Sequence, residues 1–402
     1  MLRLVILIAL LVSQISIAKQ SSPNWGYYLV PIKFYNWLED KKGSEILEKK
    51  NGNYLVKLNE NQVAAISKAV HENTGFCSGI VDLTHEVERN KVTPKYAFEN
   101  FSSPPSHSFV KDPLKISFKQ ATAKVINITD SSRYDKFIRD YISFPDRFSR
   151  SENGKKAHLW LKEKAETWAK DHSREDIEVK EVVTGGSYTQ NSIIIKISGQ
   201  DKSLPGVVIG GHMDTLKNNK PGADDDASGA AAVAEAFRSI LDSGIKFKRD
   251  IYFMYYAAEE VGLVGSGVVA DQFQQAGVKL RGVLQFDMIG YRSNKDVQKM
   301  HFVEDNVSPE LTQFTKELAI QYVGLKASEI GTTLCRYGCS DHASWDRKGY
   351  AAAFPFEASF NNMNHDIHTD RDTMGTVNIE HAMMYTKLGV AFVVEMAEPV
   401  GQ

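Results

Sequence analysis

Short, almost continuously apolar runs alternate with helix-like segments beyond about residue 115. Runs of this kind are typical of strands that are buried on both faces of a mostly parallel sheet. The predicted strands are residues 193–197, 207–210, 251–256, 283–286 and 351–356, and the predicted helices are 227–241, 265–275, 309–322 and 379–395. This alternation predicts an α/β fold, a three-layer sandwich whose mostly parallel central sheet is covered by helices.

The residues ahead of this part have a different pattern. Residues 54–58 alternate between apolar and polar positions and residues 62–70 have a helical period, which predicts a small α+β unit. Residues 103–108, Ser-Pro-Pro-Ser-His-Ser, are a breaker cluster typical of an exposed linker. We therefore expect residues 19–105 to be a pro-region that a processing protease removes, and residues 106–402 to carry the chemistry. A permanent accessory domain is the alternative.

The first 18 residues have the pattern of a secretory signal peptide. Arg3 precedes an apolar run from Leu4 to Val12, and Ser16-Ile17-Ala18 forms a small-residue cleavage site. A membrane anchor is the alternative, but the run is about half the ~20 residues that a spanning helix needs. We expect cleavage after Ala18 and a secreted, extracellular monomer that has no membrane partner.

Charge and cysteine content change this picture in two ways. Lys+Arg (48) and Asp+Glu (50) nearly balance and no long basic run is present, so no nucleic-acid partner is expected. Export places the cysteines in a compartment where disulfides persist. Cys335 and Cys339 are close enough in sequence to close a tight loop, which favours a disulfide between them over metal ligation. Cys77 then has no cysteine left to pair with.

Metal-type ligands follow three of the predicted strands at the points where the strands end. His212 and Asp214 come after the strand at 207–210, Glu259 and Glu260 after 251–256, and Asp287 after 283–286. In open α/β sheets the ligand site lies just beyond the carboxyl ends of the strands. These side chains are therefore expected to converge at one edge of the sheet.

Two further groups extend this set. Asp224-Asp225-Asp226 precedes a helix that needs only one cap, and three crowded carboxylates are costly unless a cation neutralises them. A histidine follows the last strand. The combined set supplies two imidazoles and three carboxylates, from His212, Asp225, Glu260, Asp287 and His368. Such a set suits zinc and exceeds what one tetrahedral ion requires, which predicts two metal ions that share a bridging carboxylate.

Five ordered motifs and the cysteine loop resemble the M28 zinc aminopeptidases, most of all their bacterial leucyl aminopeptidase branch. The motifs are Gly-Gly-His212-Met-Asp214, Pro-Gly-Ala-Asp224-Asp225-Asp226-Ala-Ser-Gly, Ala-Ala-Glu259-Glu260-Val-Gly, Gln-Phe-Asp287-Met and Ile-His368-Thr, with the loop from Cys335 to Trp345. The resemblance spans roughly residues 115–398. It implies a secreted exopeptidase that hydrolyses the first peptide bond of peptides with a free amino terminus, using two Zn²⁺ ions.

The resemblance also implies a role for each residue. Asp225 would bridge the ions, with His212 and Asp287 on one and Glu260 and His368 on the other, and a cis peptide would follow Asp225. Asp214 would orient His212. Glu259 would be the general base that takes a proton from a zinc-bridged water and returns it to the leaving amine. Tyr337 would donate a hydrogen bond to the oxyanion, unless it only packs.

Apolar side chains around the last predicted strand match positions that form the substrate pocket in relatives. They are Met288, Phe354, Phe356, Phe360, Met363 and Ile367. A pocket of this kind accepts Leu, Met or Phe better than charged residues, which would lose hydration without a partner. The alternative is that these residues belong to the core.

Other functions remain open on the same fold. A single-zinc acyl transferase of the glutaminyl cyclase type and a non-catalytic receptor-like module are both disfavoured by the complete ligand set and by Glu259. A carboxypeptidase would need a basic residue for the substrate carboxylate, and Arg336 in the cysteine loop keeps that alternative open.

Overall fold

The computed structural model describes residues 25–74, 79–101 and 113–401. The predicted signal peptide, the linker at 103–108 and Cys77 lie outside the described residues. Within the described ranges, the search for a helix long and apolar enough to cross a membrane finds none.

The first two described ranges form a small α+β unit, as predicted. Its elements are β1 (Trp25–Pro31), α1 (Ile32–Tyr35), β2 (Glu45–Lys50), β3 (Asn53–Asn59), α2 (Glu60–Thr74), β4 (Val81–Asp82), α3 (Thr84–Asn90) and α4 (Pro94–Phe101). The four strands form an antiparallel sheet in the order β2-β3-β1-β4. Asn51 and Gly52 join β2 to β3 with φ values of 51° and 78°, which is the Asn-Gly hairpin turn that matches the twist of paired strands.

One face of α2 closes the core of this N-terminal unit. Val63, Ile66 and Val70 recur at helical spacing and are buried against Val56 and Leu58 of β3. Other faces of α2 are therefore left to meet the remainder of the chain.

The rest of the described chain forms a larger sheet covered by helices. Its strands are β5 (Ile177–Val182), β6 (Ser192–Ile197), β7 (Gly206–His212), β8 (Ile251–Tyr256), β9 (Leu280–Gln285), β10 (Met300–Val303), β11 (Ile330–Thr333), β12 (Ala352–Ala353) and β13 (Pro355–Phe356). Its helices are α5 (Lys119–Ile126), α6 (Ser131–Tyr141), α7 (Glu152–Asp171), α8 (Ala227–Ser243), α9 (Val264–Gln275), α10 (Pro309–Leu318), α11 (His342–Arg347) and α12 (Ile379–Ala397). A π-helical turn at Ala319–Val323 extends α10, and a 3₁₀ turn at Ala327–Glu329 precedes β11.

The main sheet has the strand order β12-β9-β7-β8-β6-β5. Its first four strands are parallel, and β6 pairs antiparallel with both β8 and β5. Every residue of β7 and β8 is buried, as expected for central strands between two helical layers. The predicted mostly parallel sheet is confirmed.

Helices cover both faces of this sheet, which confirms the three-layer sandwich. On one face α8 and α12 pack on β7 through residues such as Phe237 and Leu388. On the other face α9 brings Phe273 against Tyr252 of β8, and α11 brings Trp345 against Tyr256 of the same strand. Two apolar clusters separated by the sheet therefore form the core.

The prediction of one strand over residues 351–356 is wrong. Ala352 and Ala353 pair with β9 in the main sheet, whereas Pro355 and Phe356 pair with β10 in a smaller sheet of order β11-β10-β13. The chain changes sheets at Phe354, whose carbonyl oxygen already accepts the N–H of Val303 at the end of β10. This change carries Phe354 and Phe356 towards the carboxyl edge of the main sheet.

Candidate metal centre

The carboxyl ends of β7, β8 and β9 meet at one edge of the sheet. His212 is the last residue of β7 and pairs with Tyr256 at the end of β8, and Gly210 pairs with Gln285 at the end of β9. The chain then turns through Ala258 and Met288, which both have a left-handed φ of 56°. Non-glycine residues in this conformation are strained and occur where surrounding structure holds them.

These turns bring five predicted ligands together around one carboxylate. His212 Nε2 lies 3.0 Å from Asp225 Oδ1 and 3.6 Å from Asp287 Oδ1. His368 Nε2 lies 3.0 Å from Asp225 Oδ2 and 2.8 Å from Glu260 Oε2. Each oxygen of Asp225 therefore faces a different imidazole and carboxylate.

Asp226, the neighbour of Asp225, also lies close to the ligand group that contains His212 and Asp287. Candidate ligand atoms of His212, Asp226 and Asp287 also lie within 4.8 Å of one another. However, Asp226 Oδ2 accepts the His212 N–H at 3.0 Å, and Oδ1 accepts the Gly229 N–H at 2.8 Å as the N-cap of α8. Both oxygens of Asp226 thus accept backbone bonds, whereas each oxygen of Asp225, which precedes it across a cis peptide bond, lies 3.0 Å from an imidazole nitrogen.

Asp224, the first of the three consecutive aspartates, is held by a buried polar network that the sequence did not indicate. Asp224 accepts the Gly290 N–H at 2.9 Å and the Asn364 amide at 3.0 Å. Asp372 accepts the backbone N–H groups of Asp224 and Asp225, each at 3.0 Å. Asp372 lies four residues after the candidate ligand His368, and this short spacing is the signal that could have indicated its part in the site.

Asp214 ties two strand ends together. Its Oδ1 is 3.6 Å from His212 Nδ1, which is too long for a direct hydrogen bond. The same carboxylate accepts the N–H of Glu259 at 2.9 Å and that of Glu260 at 3.4 Å. Asp214 therefore fixes the turn after β8. The sequence did not indicate these hydrogen bonds.

The centre concentrates buried negative charge. Asp225, Glu259, Glu260 and Asp287 are no more than 3% exposed. Burial raises the pKa of Glu259 well above its usual range and, with the charge of Asp225 adding to the effect, raises the pKa of Glu260 to about 7. Burial thus disfavours the ionised carboxylates unless cations compensate them.

Several oxygens of this cluster face only imidazole nitrogens. Asp225 Oδ2, Glu260 Oε2 and Asp287 Oδ1 are buried, and apart from the ring nitrogens of His368 and His212 they face no hydrogen-bond donor among the described residues. Buried polar atoms are normally paired, so such a group needs an explanation. Carboxylate oxygens that converge with imidazole nitrogens suit zinc, and the residues present therefore fit a zinc centre.

The cysteine loop lies beside this centre. Cys335 and Cys339 form a disulfide, which confirms that prediction. Tyr337 between them is half-buried, with its ring edge-on to Phe360 at 6.5 Å and to Phe34 of the N-terminal unit at 6.0 Å. The loop therefore contacts both parts of the chain.

The six predicted pocket residues belong to one apolar cluster together with the disulfide. They are Met288, Phe354, Phe356, Phe360, Met363 and Ile367, with exposures from 0% to 6% in the intact chain. Met288 follows Asp287 directly and Ile367 precedes His368. The cluster is thus joined in sequence to two candidate metal ligands.

This fold and site define a metal-dependent hydrolase with an α/β sheet and a carboxylate-imidazole centre at the strand ends. The model of peptidase family M28 matches residues 192–393, a range that contains all five candidate ligands. The chain belongs to peptidase family M28, and it is a metallo-aminopeptidase that acts on peptides. The family predicted from the motifs is confirmed.

Similar proteins support the same assignment over more of the chain. Leucine aminopeptidase 1 of Sclerotinia sclerotiorum is 33% identical over 302 residues, which cover 72% of this chain and 77% of that protein. The solved structure of the LapA aminopeptidase of Legionella pneumophila has a TM-score of 0.84 and is 32% identical in sequence. The match covers 94% of this chain and 99% of the LapA chain. LapB of the same organism has a TM-score of 0.83 at 31% identity, with 93% and 100% covered.

Proposed function

We propose that this chain is a secreted precursor whose catalytic part, residues 106–402, removes apolar residues from the free amino end of peptides with two zinc ions. The observation that carries the proposal is the position of Asp225, whose two oxygens each lie 3.0 Å from a different imidazole. One shared carboxylate between two ligand groups is the arrangement that a pair of bound cations requires.

In this proposal His212 and Asp287 complete one zinc site, and Glu260 and His368 complete the other. The buried oxygens of Asp225, Glu260 and Asp287, which face only imidazole nitrogens, support this assignment. When bound, the ions supply Lewis-acid chemistry, which polarises the scissile carbonyl and acidifies the attacking water. The chain's own residues then have to orient the substrate and move the proton.

Glu259 is the proposed general base. Its backbone is held by Asp214, and its carboxyl group is in electrostatic contact with His212 and Asp287. A carboxylate at this position takes the proton from the attacking water and returns it to the leaving amine. Burial, which raises its pKa, strengthens it as a base.

Tyr337 is the proposed donor to the carbonyl oxygen as that oxygen gains negative charge. The disulfide on either side of it limits the freedom of its loop, so the hydroxyl group needs little reorganisation. The apolar cluster beside this loop is the proposed pocket for the first residue of the substrate. Leu, Met and Phe are favoured there because a charged side chain would lose hydration without gaining a partner.

The N-terminal unit is proposed to be an inhibitory pro-region. Its Phe34 contacts Tyr337, and its Asp82 N–H donates to the carbonyl of Gly262 at 3.0 Å, two residues beyond Glu260. A cavity of about 960 Å³ lies between α2 and the metal centre. Cleavage by a processing protease near residue 105 would remove these contacts, and the leader at 1–18 supports export.

The test compares the intact chain with the protein cut near residue 105. We expect the cut form to hydrolyse leucine p-nitroanilide, to lose this activity on chelation, and to regain it with two equivalents of Zn²⁺. Acetylation of the substrate amine should abolish hydrolysis because an aminopeptidase needs a free amino terminus, and the release of free leucine separates hydrolysis from acyl transfer. Equal activity of the intact and cut forms would refute an inhibitory pro-region, and a chelator-insensitive activity would refute the metal mechanism.

A further inference from the structure

Helix α2 of the N-terminal unit turns one face towards the metal centre. Glu60, Ala64, Ser67 and His71 recur at spacings of four, three and four residues, so they share one side of the helix. All four line the cavity that Glu260 and His368 line from the opposite side. Ile66 and Val70 belong to the core of the N-terminal unit instead, and Val63 contributes both to that core and to the cavity lining.

His71 is the residue of this face whose ring lies beside a candidate ligand, although neither of its nitrogens belongs to the group of ligand atoms that Asp225, Glu260 and His368 form. Its ring centroid lies 5.1 Å from that of His368, with 45° between the ring planes. Its Nδ1 is buried and has no hydrogen-bond partner among the described residues. An imidazole nitrogen that gives up water without gaining a partner costs free energy, unless another group satisfies it.

Contacts at the start of α2 and in β4 place this helix beside the metal centre. Glu60, at the start of the helix, is 2.9 Å from the guanidinium of Arg150 and accepts a bond from Ser187 Oγ at 3.2 Å. The backbone bond from Asp82 to Gly262 fixes the segment that follows the helix. About three turns separate Glu60 from His71, so the Glu60 contacts set the position of the imidazole along the cavity.

We propose that in the intact chain the His71 side chain turns towards the ion held by Asp225, Glu260 and His368 and becomes an additional ligand of that ion. This inference rests on the proposed zinc centre. Three protein ligands leave a catalytic zinc with an open position for water or substrate. Histidine is the side chain most often used to bind a transition metal, and His71 in that position would exclude the free amine of a substrate.

Cobalt(II) substitution tests the ligation directly. The intact chain, its His71→Ala variant and the cut protein are each loaded with Co²⁺, and the visible d–d spectrum is recorded. We expect the spectrum of the His71→Ala variant to differ from that of the intact chain and to match that of the cut protein. We also expect zinc release to a chelator to become about 10–100-fold faster, as on loss of other groups that support a metal site.

His85→Ala is the matched control. His85 is also a half-buried histidine of the N-terminal unit, on α3, and its charged neighbours are Arg89, Asp271 and Lys348 rather than the metal centre. Its spectrum and zinc release should equal those of the intact chain. A second variant, His71→Cys, retains a ligand and should add a thiolate-to-cobalt charge-transfer band in the near ultraviolet.

Two results would overturn the proposal. One is an unchanged d–d spectrum in His71→Ala together with the absence of the thiolate band in His71→Cys. The other is a rise in leucine p-nitroanilide hydrolysis in His71→Ala without any spectral change, which would make α2 a steric cover only. Failure of the cut protein to hydrolyse leucine p-nitroanilide would refute the proposed function, whereas the spectra would still report on His71.

Discussion

The carboxylate of Asp372 holds the backbone on which the proposed metal centre depends. Its two oxygens accept the N–H groups of Asp224 and Asp225 at 3.0 Å each, and the residue is fully buried (0% exposed). Asp372→Asn keeps the volume but replaces one acceptor oxygen with an amide donor. Whichever way the amide turns, one of the two backbone N–H groups then faces a donor.

The size of this effect follows from the lost bond. A buried donor without an acceptor costs about 1–3 kcal/mol. Loss of a group that orients a metal ligand typically lowers metal affinity by about 10–100-fold. We therefore expect Asp372→Asn to lower the free energy of unfolding by about 2 kcal/mol. We also expect it to weaken the affinity for zinc by about 10–100-fold.

The assay is competition for Zn²⁺ against a chromogenic chelator, with denaturant unfolding of the same samples. Asp370→Asn is the matched control, because Asp370 is two residues away and exposed, and it should match the wild type in both measurements. Wild-type zinc affinity and unfolding midpoint in Asp372→Asn would refute the reasoning that this carboxylate positions Asp225.

The remaining predictions concern the proposed chemistry. Glu259→Gln should retain two zinc ions by metal analysis but lose about 10²–10⁴-fold in kcat, and unchanged turnover would remove Glu259 as the base. Tyr337→Phe should lower kcat by about 10²–10³-fold with little change in KM, whereas a change confined to KM would indicate that the ring only packs. Zinc affinity of the metal-free protein should rise as the pH rises through about 7, because the raised pKa of Glu260 leaves this ligand protonated below that value. Calorimetry in buffers of different ionisation enthalpy should show protons released on zinc binding at pH 6, and a pH-independent affinity would contradict this.

Local patterns predicted much of the fold. Strands β7 and β8 are continuous apolar runs, so their burial between two helical layers was readable from their composition. Strand β5 was not predicted, because it lies at the sheet edge and alternates with charged residues such as Glu178 and Lys180. The run at 351–356 misled for a different reason, since apolar character does not specify which sheet a residue joins.

The candidate site divides in the same way. His212, Glu260 and Asp287 were predicted because chemistry at a strand end is visible in a single sequence. The separate roles of Asp224, Asp225 and Asp226 were not visible, because three identical residues differ only in what they contact. Gly229, Gly290 and Asp372 make that distinction, and they lie 3, 66 and 148 residues away from the aspartates they contact.

The sequence by itself determined many of the element types, the ligand chemistry and the family, because these depend on residue type, spacing and the period of apolar positions. Only the tertiary structure decided which carboxylate faces both imidazoles, which backbone groups Asp214 and Asp372 hold, and where His71 lies. Those features depend on distances between residues far apart in the chain. Such distances are set by how the helices and sheets pack, and a linear pattern does not contain them.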